Sequence, residues 1–121
     1  MAQTKLKGGQ IDYENLKVYM PDYANKESTN RWNGVSTWTS DRRGFVYFYL
    51  YSYNTTTIQS PIVTINGVEI SHAVMEAAHT NGARVTANSG VLPVNTGDII
   101  SYSSANTINA RNLHFIPGRW V

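Results

Sequence analysis

The sequence predicts an all-β protein: an antiparallel β-sandwich or jelly roll built as one domain. Three observations carry this. Short runs of aromatic and β-branched residues recur, with turn signals roughly every 8–12 residues. One run, Gly44 to Tyr53, is a strand by every local signal. No long helical period and no internal repeat competes with that pattern. A chain of 121 residues is enough for one core.

Met1 to Gln10 is polar, with Lys5, Lys7 and the Gly8–Gly9 pair, and reads as a flexible arm or an appended remnant. The sandwich is expected to span residues 11–121. Ile11 to Met20 alternates loosely and predicts a short strand around Leu16, Val18 and Met20, closed by the Pro21–Asp22 turn. Tyr23 to Asn33 reads as polar loop anchored by Trp32. Val35 to Thr39 suits a strand, and Asp41 to Gly44 turns the chain into the next one.

Side chains of a strand alternate between faces. In Gly44 to Tyr53 one face carries Val46, Phe48, Leu50 and Ser52. The other carries Phe45, Tyr47, Tyr49, Tyr51 and Tyr53, an aromatic ribbon about 30 Å long at roughly 3.3 Å per residue. Successive tyrosines on one face are costly to leave in water and costly to bury in a core, because each hydroxyl needs a partner. Two arrangements answer this. In one, Tyr47, Tyr49, Tyr51 and Tyr53 form a subunit interface. In the other, a second sheet of the same chain covers the ribbon and the hydroxyls reach its rim.

Asn54 to Thr57 ends that strand, and Pro61 marks the start or edge of another. Ile62–Ile65, Asn66–Gly67 and Val68–Ile70 together form the strongest hairpin signal, since Asn and Gly tolerate the positive φ angles of a type I′ turn. Ser71 to His79 fits either a short helix, with Ile70, Val74, Ala77 and Ala78 on one face, or a bulged continuation of the hairpin. Asn81–Gly82 is a turn. Arg84 to Val94 is expected to be a strand broken around Ser89–Gly90. Asn95 to Asp98 is a tight turn, Ile99 to Ser103 a strand, and Leu113 to Ile116 the last strand, ended by Pro117–Gly118. Trp120 in the hydrophobic Arg119–Val121 tail is expected to dock on its own domain or on a neighbour.

Composition narrows the function classes. The net charge is +2 with scattered basic residues, which is no electrostatic footprint for nucleic acid. Only 15% of residues are charged, so the surface is largely neutral and polar. Without cysteine there is neither a disulfide nor a thiolate metal site. Residues 1–10 show no apolar stretch of a secretory signal, and no run approaches membrane-spanning length. Synthesis in a bacterial cytoplasm without a signal peptide, or residence in a virion, is the expected setting.

Catalytic patterns are weak. On a helix His72 and His79 would lie about 10 Å apart, too far to share a zinc ion at bond lengths of about 2.0–2.1 Å. Asp22, Asp41 and Asp98 sit in predicted turns, where aspartate bonds its own backbone. There is no nucleophile elbow and no phosphate loop. No catalytic residue, metal ligand or cofactor is therefore predicted. Binding has better material. Tryptophans beside loops rich in Asn, Ser and Thr suit a sugar's apolar faces and hydroxyls, or a protein surface. The loops 25–33, 54–60 and 79–81 supply the candidates Asn30, Trp32, Asn54, His79 and Asn81, joined by Trp120. Against this, each tryptophan, Trp38 included, could equally be a core or corner anchor.

The run Gly44-Phe-Val-Tyr-Phe-Tyr-Leu50 resembles the aromatic strand of the C1q/TNF-like jelly rolls. Ser89 to Ile100, with its Gly97–Asp98 turn, is similar to a segment of phage tail-fibre and baseplate tip domains of this type. The hairpin Val63 to Ile70 lies between them in the expected order, and Met20-Pro-Asp-Tyr23 is similar to the start of such domains. The resemblance covers roughly residues 18–116 and rests on the order and spacing of its motifs. It implies a homotrimer with the tyrosine strand at its axis, acting as a receptor-binding knob. Secreted C1q-like proteins carry signal peptides and collagen stalks. The sequence shows neither, which favours a phage or viral setting. The expected function is thus non-enzymatic: a virion tip protein that binds a host-surface ligand, glycan above all, gaining avidity from three sites. Its partners would be itself, other tail proteins and the host surface, with no nucleic acid and no membrane insertion. A purely structural decoration or connector protein is the alternative, and a small carbohydrate-active enzyme the third reading.

Overall fold

The computed structural model describes residues 11–12, 16–54, 61–72, 77–78, 84–103 and 108–121. Within them the protein is antiparallel β throughout, apart from one 3-10 turn at Tyr23–Asn25. The strands are β1 (Ile11–Asp12), β2 (Lys17–Pro21), β3 (Thr37–Thr39), β4 (Gly44–Asn54), β5 (Ile62–Ile65), β6 (Val68–His72), β7 (Ala77–Ala78), β8 (Arg84–Val94), β9 (Ile99–Ser103), β10 (Ala110–Ile116) and β11 (Gly118–Trp120). They form two four-stranded sheets, ordered β10-β4-β8-β7 and β3-β9-β5-β6, and a small third sheet, β1-β2-β11.

The pairing is nested. The tight hairpin β5–β6 lies innermost, β4 pairs with β8 outside it, and β3 pairs with β9 outside that. Outermost, the segment 27–31 runs along the free edge of β10: the Glu27 amide donates to the Phe115 carbonyl and the Arg31 amide to the Leu113 carbonyl. The turn of β5–β6 has the geometry its residues demand, with Asn66 at φ 52° and Gly67 at φ 79°.

Alternation on β4 sets the core. Val46, Phe48, Leu50 and Ser52 all point inward and are buried. Leu113 and Phe115 join them from the same sheet, and Val63 and Ile100 from the facing one. The two large sheets therefore share one hydrophobic core, as in a sandwich. Trp32 fills the space between them, wholly buried, and its indole N–H donates to the Ile100 carbonyl at 3.3 Å. A buried indole requires such a partner.

Several sequence expectations change. β8 is one continuous strand from Arg84 to Val94, paired with β4 along its whole length, not a strand broken at Ser89–Gly90. Gly90 packs against the Phe48 ring, where an added Cβ would sit 3.1 Å from ring carbons. The glycine makes room for an aromatic side chain; it does not interrupt pairing. Leu16 is not a strand residue but turns the chain at φ 53°, and the strand that follows is β2. Beyond Pro117 the chain forms one more strand, β11, which pairs with β2. Of the segment expected to be helix or hairpin, Ser71–His72 and Ala77–Ala78 are strand, whereas 73–76 lie outside the described residues.

Candidate functional site

The outer face of the β10-β4-β8 sheet is the candidate site. Cross-strand register builds it in rungs. Tyr47 lies between His114 and Val91, Tyr49 between Asn112 and Ser89, and Tyr51 between Ala110 and Ala87. The three tyrosines are half-buried. No second sheet of the described residues covers them. The third sheet covers only the Phe45 end of the ribbon, where Tyr19 stacks on Phe45 at 5.5 Å between centroids. Of the two arrangements open for the ribbon, a covering sheet is thus seen, among the described residues, only at Phe45.

One cation stands over the face and a second lies beyond its Phe45 end. The Lys26 ammonium lies 5.2 Å from the centroid of the Tyr47 ring, and the Arg43 guanidinium 3.9 Å from that of Tyr19. Among the described residues, the rungs themselves contain no Lys, Arg, Asp or Glu. The hydroxyls of Tyr47, Tyr49 and Tyr51 have no hydrogen-bond partner among the described residues. Tyr53 is the next tyrosine on this face by strand parity, but its side chain lies outside the described residues.

His114 is held at the edge of this face. Its Nδ1 is 3.0 Å from the Glu27 carbonyl oxygen. The Glu27 carboxylate joins two guanidiniums, Arg31 at 2.8 Å and Arg42. The hydrogen bond from Arg42 is the main reason that this carboxyl titrates below its ordinary 4.5; burial opposes the shift and Arg31 adds to it. Arg42 also lies over the Phe115 ring and Arg31 over that of Trp38, so the clamp fastens segment 27–31 to both sheets.

The individually named binding candidates do not converge. Trp32 offers no face to a ligand, because a core that needs a large wedge between its sheets has taken the indole. Asn30 is committed to the fold: its Oδ1 accepts from the amides of Trp32 and Leu113, both at 3.0 Å, and its Nδ2 donates to the Arg111 carbonyl at 2.9 Å. It stands in for a strand neighbour at the β10 edge. Trp120 is 40% exposed and docks on its own chain, its ring centroid 5.2 Å from that of Tyr19. Asn54 ends β4, its side chain outside the described residues, as are His79 and Asn81 entirely. What the sequence did not indicate is His114 beside the tyrosines. Only its register opposite Tyr47 reveals the neighbourhood.

Carboxylates elsewhere are engaged locally. Asp98 accepts from the Asn66 amide side chain at 3.0 Å and the Asn95 backbone amide at 2.8 Å, and Asp22 accepts from Asn25 at 2.7 Å. Among the described residues no three His, Cys, Asp or Glu side chains cluster as metal ligands would. No helix among them is long and apolar enough to cross a membrane. No protein-family model matches the sequence, and a search of curated proteins finds no match.

Proposed function

We propose that this chain is a non-enzymatic virion protein of the phage tail-fibre or baseplate tip type, a C1q/TNF-like jelly roll that assembles as a homotrimer and binds a host-surface ligand, glycan in the first instance. The observation that carries the reading is the tyrosine face, which no second sheet of the described residues covers. Half-buried aromatic rungs without charge, whose hydroxyls lack partners in the described chain, suit an interface better than open solvent. The nested pairing of β5–β6, β4–β8 and β3–β9 across two sheets supports the jelly-roll topology. The strand ends Asn54, Arg84 and Ser103 lie at the end of the sandwich away from the third sheet. An attachment at the β1-β2-β11 end would leave that end facing outward, as a host-binding tip requires.

The test has two stages. Light scattering at several concentrations should give three times 13.5 kDa. A monomer at every concentration ends the trimer reading. A glycan array on the trimer should then show specific hits. The alternative, a structural decoration or connector, draws on the outer face of the third sheet, where Val18, Met20 and Val121 stand exposed. Copurification with one tail component, together with a silent glycan array, would favour it.

A further inference from the structure

The outer face holds one hydrogen-bond acceptor whose state is fixed by the fold. A backbone carbonyl oxygen accepts and never donates. With Nδ1 of His114 3.0 Å from the Glu27 carbonyl, the neutral imidazole therefore carries its proton on Nδ1. Nε2 is left with a lone pair. It makes no hydrogen bond among the described residues and is not among the buried side-chain atoms without a partner, so it reaches the surface of the face.

The same face carries donors. The hydroxyls of Tyr47, Tyr49 and Tyr51 lack partners among the described residues, as noted above. The Asn112 amide oxygen already accepts from Asn30. A face whose rungs hold no charged residue, with donors that lack partners among the described residues and one oriented acceptor, is complementary to itself. We infer that His114 Nε2 accepts a hydrogen bond from a tyrosine hydroxyl of a neighbouring copy, so that the assembly holds only while His114 is neutral. This rests on the homotrimer reading. A heterologous arrangement, in which each copy gives to the next, lets every copy use both groups.

Imidazole is the side chain whose charge changes between pH 5 and 8. On protonation the tyrosine hydroxyl can turn to accept, but a positive charge then stands in a dry interface. The groups packed around His114 do not compensate it. Segment 26–31 contributes Lys26, which is cationic, and Glu27, whose carboxylate is already shared by Arg31 and Arg42. The turn before β4 contributes Arg42, over the ring of Phe115, and β4 itself contributes the neutral Tyr47. An uncompensated charge in such a site is costly, and the copies bring one each.

The experiment is light scattering of the full chain from pH 8 to pH 5.5, for the wild type, His114→Gln and His114→Leu, with near-ultraviolet circular dichroism to follow the fold. The wild type should be trimeric at pH 8 and dissociate toward pH 5.5, its dissociation constant rising at least tenfold while the fold persists. His114→Gln, which keeps an acceptor and cannot titrate, should hold the same mass at both pH values. His114→Leu should assemble more weakly than wild type at pH 8. A wild type equally trimeric at both pH values, or His114→Gln dissociating in acid as the wild type does, overturns the role of His114 and leaves the trimer standing. Unfolding of the wild type at pH 5.5 also overturns it. A monomeric wild type at pH 8 overturns the trimer reading itself.

Discussion

The two outer faces of the sandwich are built on the same strand geometry and differ in chemistry. The β10-β4-β8 face presents Tyr47, Tyr49 and Tyr51 between His114, Asn112 and small residues. The β3-β9-β5 face presents Thr37, Thr39, Thr64, Ser101 and Ser103, with Ile62 and Ile99 among them. On the second face hydroxyls find one another: Thr37 Oγ1 and Ser101 Oγ are 2.9 Å apart. Small hydroxyls that pair within the chain and otherwise meet water need no partner. Large phenols whose hydroxyls find no acceptor among the described residues also leave part of their apolar rings in water, which small hydroxyl side chains do not. The proposed interface is thus placed on the side with large, half-buried aromatic rings, not on the side whose small hydroxyls pair with each other.

That contrast can be broken from several directions. The largest effect is expected on the inward side of β4. Phe48→Ala should lower stability by about 3–5 kcal/mol, because the core is shared by both sheets and cannot collapse around the lost ring; urea denaturation reads this directly. One residue along, Tyr49→Asp should leave the fold intact and dissociate the proposed trimer, at a cost of roughly 2–5 kcal/mol for a carboxylate forced into a dry interface. Light scattering with circular dichroism separates the two outcomes, and an undiminished trimer in Tyr49→Asp would remove the aromatic face from the interface.

A smaller effect concerns the clamp that closes the edge between the faces. Glu27 is held below its ordinary 4.5 by Arg42 and Arg31, so the stability it contributes is fully present above about pH 4.5 and fades as pH falls through its lower folded-state value. Glu27→Gln should cost about 1 kcal/mol at neutral pH. Melting temperatures of variant and wild type should converge in stronger acid; a constant gap would show that the charge is not what matters. The smallest effect belongs to the hydroxyl face. Ser103→Asp should change stability by no more than about 0.5 kcal/mol and leave the mass untouched. If it dissociates the assembly, the wrong face has been assigned.

Much of the frame was legible in the sequence, for local reasons. β4 announces itself by strict alternation, and its inward set is buried as that alternation requires. The Asn66–Gly67 turn has the positive φ angles its residues favour. Gly90 misled, because a glycine placed to admit Phe48 looks in sequence like a glycine placed to end a strand. The third sheet was illegible for a different reason: β2 and β11 are each short and ambiguous alone, and become strands by meeting. The candidate site divides along the same line. The tyrosines were visible as a pattern, whereas His114 enters through register, and Asn30 and Trp32 turned from surface candidates into parts of the frame once the edge of β10 and the core were there to receive them.

The meeting of β2 and β11 has a consequence for how the molecule is made. Tyr19 pairs with Trp120, 101 positions later, and Val18 exchanges both backbone hydrogen bonds with Val121. Beneath Tyr19 sits Gly118, where any Cβ would clash with the hydroxyl end of the phenol. Contacts so distant along the chain form late and slowly. On the ribosome β2 must therefore wait for β11 while the roughly hundred residues between them are translated. Phe45 waits with it, since the ring that covers it rides on β2. Until then the Phe45 end of the aromatic strand lacks its cover, and a nascent chain crowded against its siblings on one messenger would be most prone to premature association during that interval.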